Sequence, residues 1–198
     1  MNKVSIKNNN IDLPQWDLTY LYKSPKDKKM FADLLLLDNL VKNFRSYKNK
    51  VASLNNSDFG NAIKEFEKIT DLSGRISSYA QLFHAQDLLD TERSEFYQNT
   101  IDKLTKISSE IIFFSLEINS LNDAKINYFL GDEIVSQYES WIKDLRVFKN
   151  HELSDDLERL INEKTLVGRN SWIRLFDEIE ANISCEVNGE KLSIYKYF

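Results

Sequence analysis

The residues best suited to chemistry lie between His151 and Leu192, HELSDDLERLINEKTLVGRNSWIRLFDEIEANISCEVNGEKL. The opening of this stretch, His151-Glu152-Leu153-Ser154-Asp155, departs by one residue from a zinc-hydrolase motif. His-Glu-x-x-His places two imidazoles one helical turn apart, with a glutamate between them as general base. Asp155 stands here where the second imidazole belongs. A carboxylate can bind zinc, but Ser154 reads as a helix N-cap followed by Asp155, Asp156 and Glu158, acids favoured at the positive end of a helix dipole. That cap leaves His151 and Glu152 outside the helix, where the one-turn spacing is lost. The reading taken is a loop entering a capped helix, with no zinc site.

Other chemistry is equally sparse. His84 is the only other histidine, and a lone helical His beside Phe83 and Asp87 reads as a satisfied or exposed side chain. Cys185, the single cysteine, reads as a small buried hydrophobe in a strand. Acids at helical spacing, Glu65 with Lys68 and Asp155 with Arg159, read as solvated pairs one turn apart. No Gly-rich phosphate loop and no G-x-S-x-G is present. No catalytic or metal residue is assigned, no cofactor is expected in this chain, and the substrate-binding residues stay unknown.

The elements that would position any such group are helical. Ser24-Pro25-Lys26-Asp27 reads as a helix start, and Met30, Leu34, Leu37, Val41, Phe44 and Val51 give a stripe to about Leu54. Ser57 is expected to cap a second helix carrying Phe59, Ile63, Phe66, Ile69, Ile76, Tyr79 and Phe83, with Gly74 inside it as a close-packing position. Asp90-Thr91 caps a third, with Phe96, Leu104, Ile107, Ile111, Phe114 and Ile118. A short helix over Leu121–Leu130 ends at Gly131, and Glu133 to Lys149 carries Ile134, Tyr138, Trp141, Leu145 and Phe148. Leu157, Leu160 and Ile161 stripe the next helix, and Trp172, Leu175, Phe176 and Ile179 the last. Asn188-Gly189 between Ile183–Val187 and Glu190–Leu192 signals a two-residue hairpin.

The fold class expected is all-α, an antiparallel bundle of about five to seven helices with one small C-terminal β-hairpin. Residues 1–12 read as a disordered lead and 13–182 as the helical domain, in which Trp16 and Leu18 dock on the helices. Residues 183–198 read as the hairpin and the truncated start of a next region. The aromatic stripes are read as core, because no basic residues interleave them.

Composition closes off several function classes. The formal charge of −5, with 26 Lys and Arg against 31 Asp and Glu, comes with no basic block, which argues against nucleic acid. No apolar run is longer than Ile111 to Phe114, which is far too short for a bilayer. A single cysteine and an N-terminus without an apolar signal region point to the cytoplasm. The excess of Lys over Arg, with abundant Asn and Ile, reads as A/T-rich codon use and a bacterial source.

Six segments taken together carry a resemblance. They are LPQWDLTYLY with SPKD (13–27), GRISSYAQLFHAQD (74–87), FFSLEI (113–118), YESWIKDLR through HELSDDLERLINEK (138–164), GRNSWIRLFDE (168–178) and VNGEKL (187–192). In this order and spacing they resemble the amino-terminal region of oligoendopeptidase F, a bacterial zinc metallopeptidase of the thimet-oligopeptidase type. The resemblance implies a mostly helical hydrolase whose amino-terminal helices wall a channel admitting oligopeptides. It also implies a zinc held by His-Glu-x-x-His and a downstream glutamate, none of which has a counterpart here. The expected function is therefore a non-catalytic amino-terminal domain or fragment, inactive alone, that contributes channel wall and substrate access. The alternative is a stand-alone helical interaction module without a peptidase role. Expected partners are a separate carboxy-terminal catalytic half or a second copy, and oligopeptides once the channel is completed. Ser193 through Phe198 read as the capped start of a severed helix, and the helix faces that would meet the next domain as uncovered.

Overall fold

In the computed structural model, which describes residues 16–187 and 189–193, helix dominates and the polypeptide closes with one hairpin. The helices are α1 (Lys28–Phe44), α2 (Asn56–Ala85), α3 (Thr91–Ile111), α4 (Phe113–Ser120), α5 (Asp123–Leu130), α6 (Glu133–Ser136), α7 (Glu139–Val147), α8 (Asp155–Lys164) and α9 (Arg169–Asn182). Strands β1 (Ser184–Val187) and β2 (Glu190–Ser193) pair antiparallel, with Val187 opposite Glu190 across the two-residue turn. Gly189 takes φ 85°, the backbone such a turn demands. Helices α3 and α4 are parted only at Ile112, and α6 and α7 only at Gln137 and Tyr138. Counted as two rods, they bring the described helices to the upper end of the expected five to seven. Expectations for residues 1–15, for Asn188 and for Ile194–Phe198 lie outside the described residues.

The core is aromatic at its centre. Phe114 is fully buried and meets Phe44 at 5.1 Å, Phe66 at 5.2 Å and Phe59 at 6.2 Å between ring centroids. Phe59 in turn stacks on Phe129 of α5 at 3.9 Å. The stripes of α1 and α2 reach this centre as their spacing foretold, Met30, Leu37, Val41 and Phe44 from one and Phe59, Ile63, Ile69, Ile76 and Tyr79 from the other. Tyr22, ahead of α1, is buried edge-on against Tyr79 and donates its hydroxyl to Asp33 at 2.9 Å. Leu18 packs against this core, but Trp16 is largely exposed and does not dock as expected.

Several helix ends differ from the sequence reading. The first helix is capped by Asp27, whose carboxylate accepts from the Lys29 amide at 2.9 Å, and not by Ser24. It stops at Phe44, ten residues short of Leu54, and two 3-10 turns, Arg45–Tyr47 and Val51–Ser53, follow. The stop is enforced from far along the chain: Glu117 of α4 accepts from the Asn49 amide at 2.6 Å and from the Val51 amide at 3.1 Å. Asn49 between them holds a left-handed φ of 62°. Asn55 caps α2 in place of Ser57, while Asp90 caps α3 as expected, accepting from Glu92 and Arg93.

Gly74 overturns its packing assignment. It is exposed, and a Cβ built on it would meet nothing within 4 Å. The close helix approach belongs to Gly60, whose Cβ would lie 3.2 Å from Ile134 of α6. Since Gly74 is an exposed residue within a helix, Gly74→Ala is expected to stabilise the protein by about 0.5–1 kcal/mol. Chemical denaturation should show a higher midpoint at unchanged slope.

Candidate functional site

His151 ends a 3-10 turn, Lys149–His151, and Asp155 is the first residue of α8. Extended Glu152 and the cap residue Ser154 separate them, so the two do not share a helical turn. Glu152, the would-be general base, is instead tied to structure: it accepts from the amide of Asn119, a side chain buried in α4. Among the described residues no three His, Cys, Asp or Glu side chains are grouped to hold a metal. The residues present do not fit a zinc site. Ser154 occupies the cap position without using its hydroxyl; Glu158 turns back and accepts from the Leu153 amide at 2.9 Å.

The remaining sequence candidates are scattered. Glu65 accepts from the Tyr47 hydroxyl at 3.3 Å, and Arg159 lies 3.8 Å from Glu163, so neither expected pair organises its surroundings. Cys185 is exposed, against the buried place expected for it. The substantial packing of the hairpin is between its own two strands, which leaves that side chain uncovered. A cleft lined by Arg45, Lys48, Glu110, Asp155, Asp156 and Arg159 carries charges of both signs, with Arg45 and Glu110 paired at 2.6 Å. It holds neither histidine nor thiol.

His84 is buried, with 7% of its surface exposed, and its ring stacks on Tyr97 of α3 at 5.0 Å and 9°. Ser94 Oγ lies 3.5 Å from Nδ1. Burial lowers its pKa below the ordinary 6.5; Asp177 and Glu178 of α9 oppose that shift and Arg174 adds to it. The fold thus favours neutral imidazole. The unfolded chain takes up this proton first as pH falls, so the stabilisation is complete above pH 6.5 and is lost as pH drops through the lowered folded value. Thermal melts are expected to fall more steeply between pH 7.5 and 5 for the wild type than for His84→Gln. Asp177→Asn, which removes an opposing charge, should steepen the fall.

The most unusual surface lies on α8 and α9. Neither contributes a buried residue to the core, and both are strongly two-sided. In α8 the half-buried residues are Glu158 and Asn162, and in α9 they are Asn170, Ser171, Arg174, Asp177, Glu180 and Ala181, all polar but the last. From these sides α8 packs on α3, and α9 reaches it through Arg174. Asn162 donates to Ser109 at 2.8 Å, and Arg174 donates to Gln98. α3 answers with a polar stripe of its own, Gln98, Asp102, Thr105 and Ser109, at helical spacing opposite the core-facing Leu104 and Ile111. The apolar stripes therefore point outward. Leu157, Leu160, Ile161, Trp172, Phe176 and Ile179 are 47–69% exposed, so the aromatic stripe of α9 is not core, which corrects the sequence reading. The unused signal was the stripe on α3, where four uncharged or singly acidic polar residues line one helical face with no Lys or Arg among them.

No described helix is long and apolar enough to cross a membrane. Residues 117–184, which run from α4 through α9, match the family described as Oligopeptidase F. An oligoendopeptidase F homolog of Borreliella burgdorferi is 21% identical over 151 residues, 76% of this chain and 25% of that protein. The crystal structure of oligoendopeptidase-F from Enterococcus faecium superposes with a TM-score of 0.72 at 22% identity, over 84% of this chain and 34% of that one. The chain thus spans only about a quarter to a third of these relatives. The family match, the aligned relative and the shared fold point the same way: the chain is similar to the amino-terminal region of oligoendopeptidase F proteins.

Proposed function

We propose that the chain serves as the non-catalytic amino-terminal domain of an oligoendopeptidase F-like zinc endopeptidase, and that its helices form channel wall and control access of oligopeptides. The observation that carries this reading is the family match over α4 to α9. The fold shared with the Enterococcus faecium oligoendopeptidase supports it. A wall needs rigid elements and no reactive groups, and the described residues offer that: an aromatic core, long capped helices, and no clustered metal ligands. Zinc and the hydrolytic groups would come from the part of such an enzyme that this chain does not match. Alone, the pure chain should neither retain zinc through dialysis nor cleave a fluorogenic oligopeptide.

The access role is tested with a hybrid in which this chain replaces the aligned region of the Enterococcus faecium protein. The hybrid should cleave short peptides and spare long unfolded chains, whereas deleting the domain from a folded enzyme should relax that length selection. Unchanged length selection after deletion would defeat the wall reading.

A further inference from the structure

We infer that the outward apolar face of α8 and α9 is the seat of the carboxy-terminal remainder of an oligoendopeptidase F-type polypeptide, which covers it with an apolar, largely helical surface. This rests on reading the chain as the amino-terminal domain, and names the surface through which that domain joins the rest.

The orientation of the two helices is the first observation. An amphipathic helix laid on a protein by itself turns its apolar side inward, because burying that surface is what drives it down. Here Asn162 and Arg174, on the half-buried sides, donate to Ser109 and Gln98 of α3, while Leu157, Leu160, Ile161, Trp172, Phe176 and Ile179 are exposed. Helices placed this way are a middle layer between two others. Scattered surface hydrophobes need no explanation, but two consecutive helices exposing their whole stripes do.

Two further observations name the occupant. The relatives that share this region are far longer, since it makes up 34% of the solved enzyme and 25% of the Borreliella burgdorferi protein. Most of such a polypeptide therefore lies outside the matched part and is available to cover the face. The residues matching the family also include both helices entire, so the inverted pair lies within what the family shares. A second copy of this chain accounts for neither fact.

Hydroxyl-radical footprinting read by mass spectrometry tests this on two proteins: the chain alone, and the hybrid in which it replaces the aligned region of the Enterococcus faecium enzyme. Oxidation of Trp172 and Phe176 is expected to fall several-fold in the hybrid. Phe176→Asp, a change on an exposed side chain, should leave the melting of the isolated chain unaltered and lower that of the hybrid. If the hybrid melts as one unit while both residues stay as reactive as in the isolated chain, the face is not the seat, and the domain reading survives. A hybrid that is insoluble, or that melts in two independent steps, overturns the domain reading and this inference with it. Protection already present in the isolated chain, rising with concentration and abolished by Phe176→Asp, would assign the face to a second copy instead.

Discussion

Replacing Phe114 by alanine is expected to cost about 3–5 kcal/mol, because the side chain is wholly buried at the point where several helices converge. Its ring is shared by Phe44 of α1, Phe59 and Phe66 of α2, and through Phe59 by Phe129 of α5. Truncation removes both the transfer energy of the ring and its edge-on and tilted contacts, and its three ring neighbours, themselves packed, cannot collapse fully into the void. In a chain of this length the loss translates to a fall in melting temperature on the order of 10 °C. Phe114→Leu keeps most of the volume and should lose clearly less. Urea denaturation separates the outcomes: a midpoint shift at constant slope reports lost packing, whereas a changed slope reports an altered unfolded or native ensemble. A Phe114→Ala protein as stable as the wild type would mean that this cluster is not the centre of the core.

Much of that core was legible because each stripe repeated at helical spacing and each helix had one apolar side. Periodicity does not, however, say which side of a helix faces its neighbours. For α1 and α2 the apolar side faces inward, so the reading held. For α8 and α9 it faces outward, and only the matching polar stripe on α3 reveals why. Local sequence also failed where a distant residue decides the backbone. Nothing between Phe44 and Leu54 announces a break, since the break is held by Glu117 accepting from the Asn49 and Val51 amides. Glycine shows the same limit: Gly60 and Gly74 lie within one helix, yet only Gly60 is approached by a neighbour. The lost one-turn spacing of His151 and Asp155 was more readily inferred, because the cap position taken by Ser154 lies between them.

Arg146 of α7 should prove the most costly charged side chain to remove, at about 1.5–3 kcal/mol for Arg146→Met. Its guanidinium closes the end of α4, donating to the carbonyls of Ile118 at 3.0 Å, Asn119 at 3.4 Å and Leu121 at 3.1 Å. It also pairs with Asp123 at 2.7 Å, but that carboxylate is 90% exposed, so the ion pair itself contributes little. The two roles are separable. Asp123→Asn should cost under about 1 kcal/mol, and the greater loss on removing Arg146 would then belong to the carbonyls. These acceptors close a helix, where the usual partner four residues ahead is missing. The Ile118 carbonyl keeps the Leu121 amide, and Lys149 also reaches the Leu121 carbonyl at 3.0 Å. Lys149 therefore covers part of the loss, and removing both side chains should cost more than the sum of the single losses. Arg146→Lys keeps the charge but cannot fork across three acceptors, so it should fall between wild type and Arg146→Met. A double-mutant cycle by thermal denaturation measures these differences directly. If Asp123→Asn proves as damaging as Arg146→Met, the ion pair carries the effect and the carbonyl closure does not.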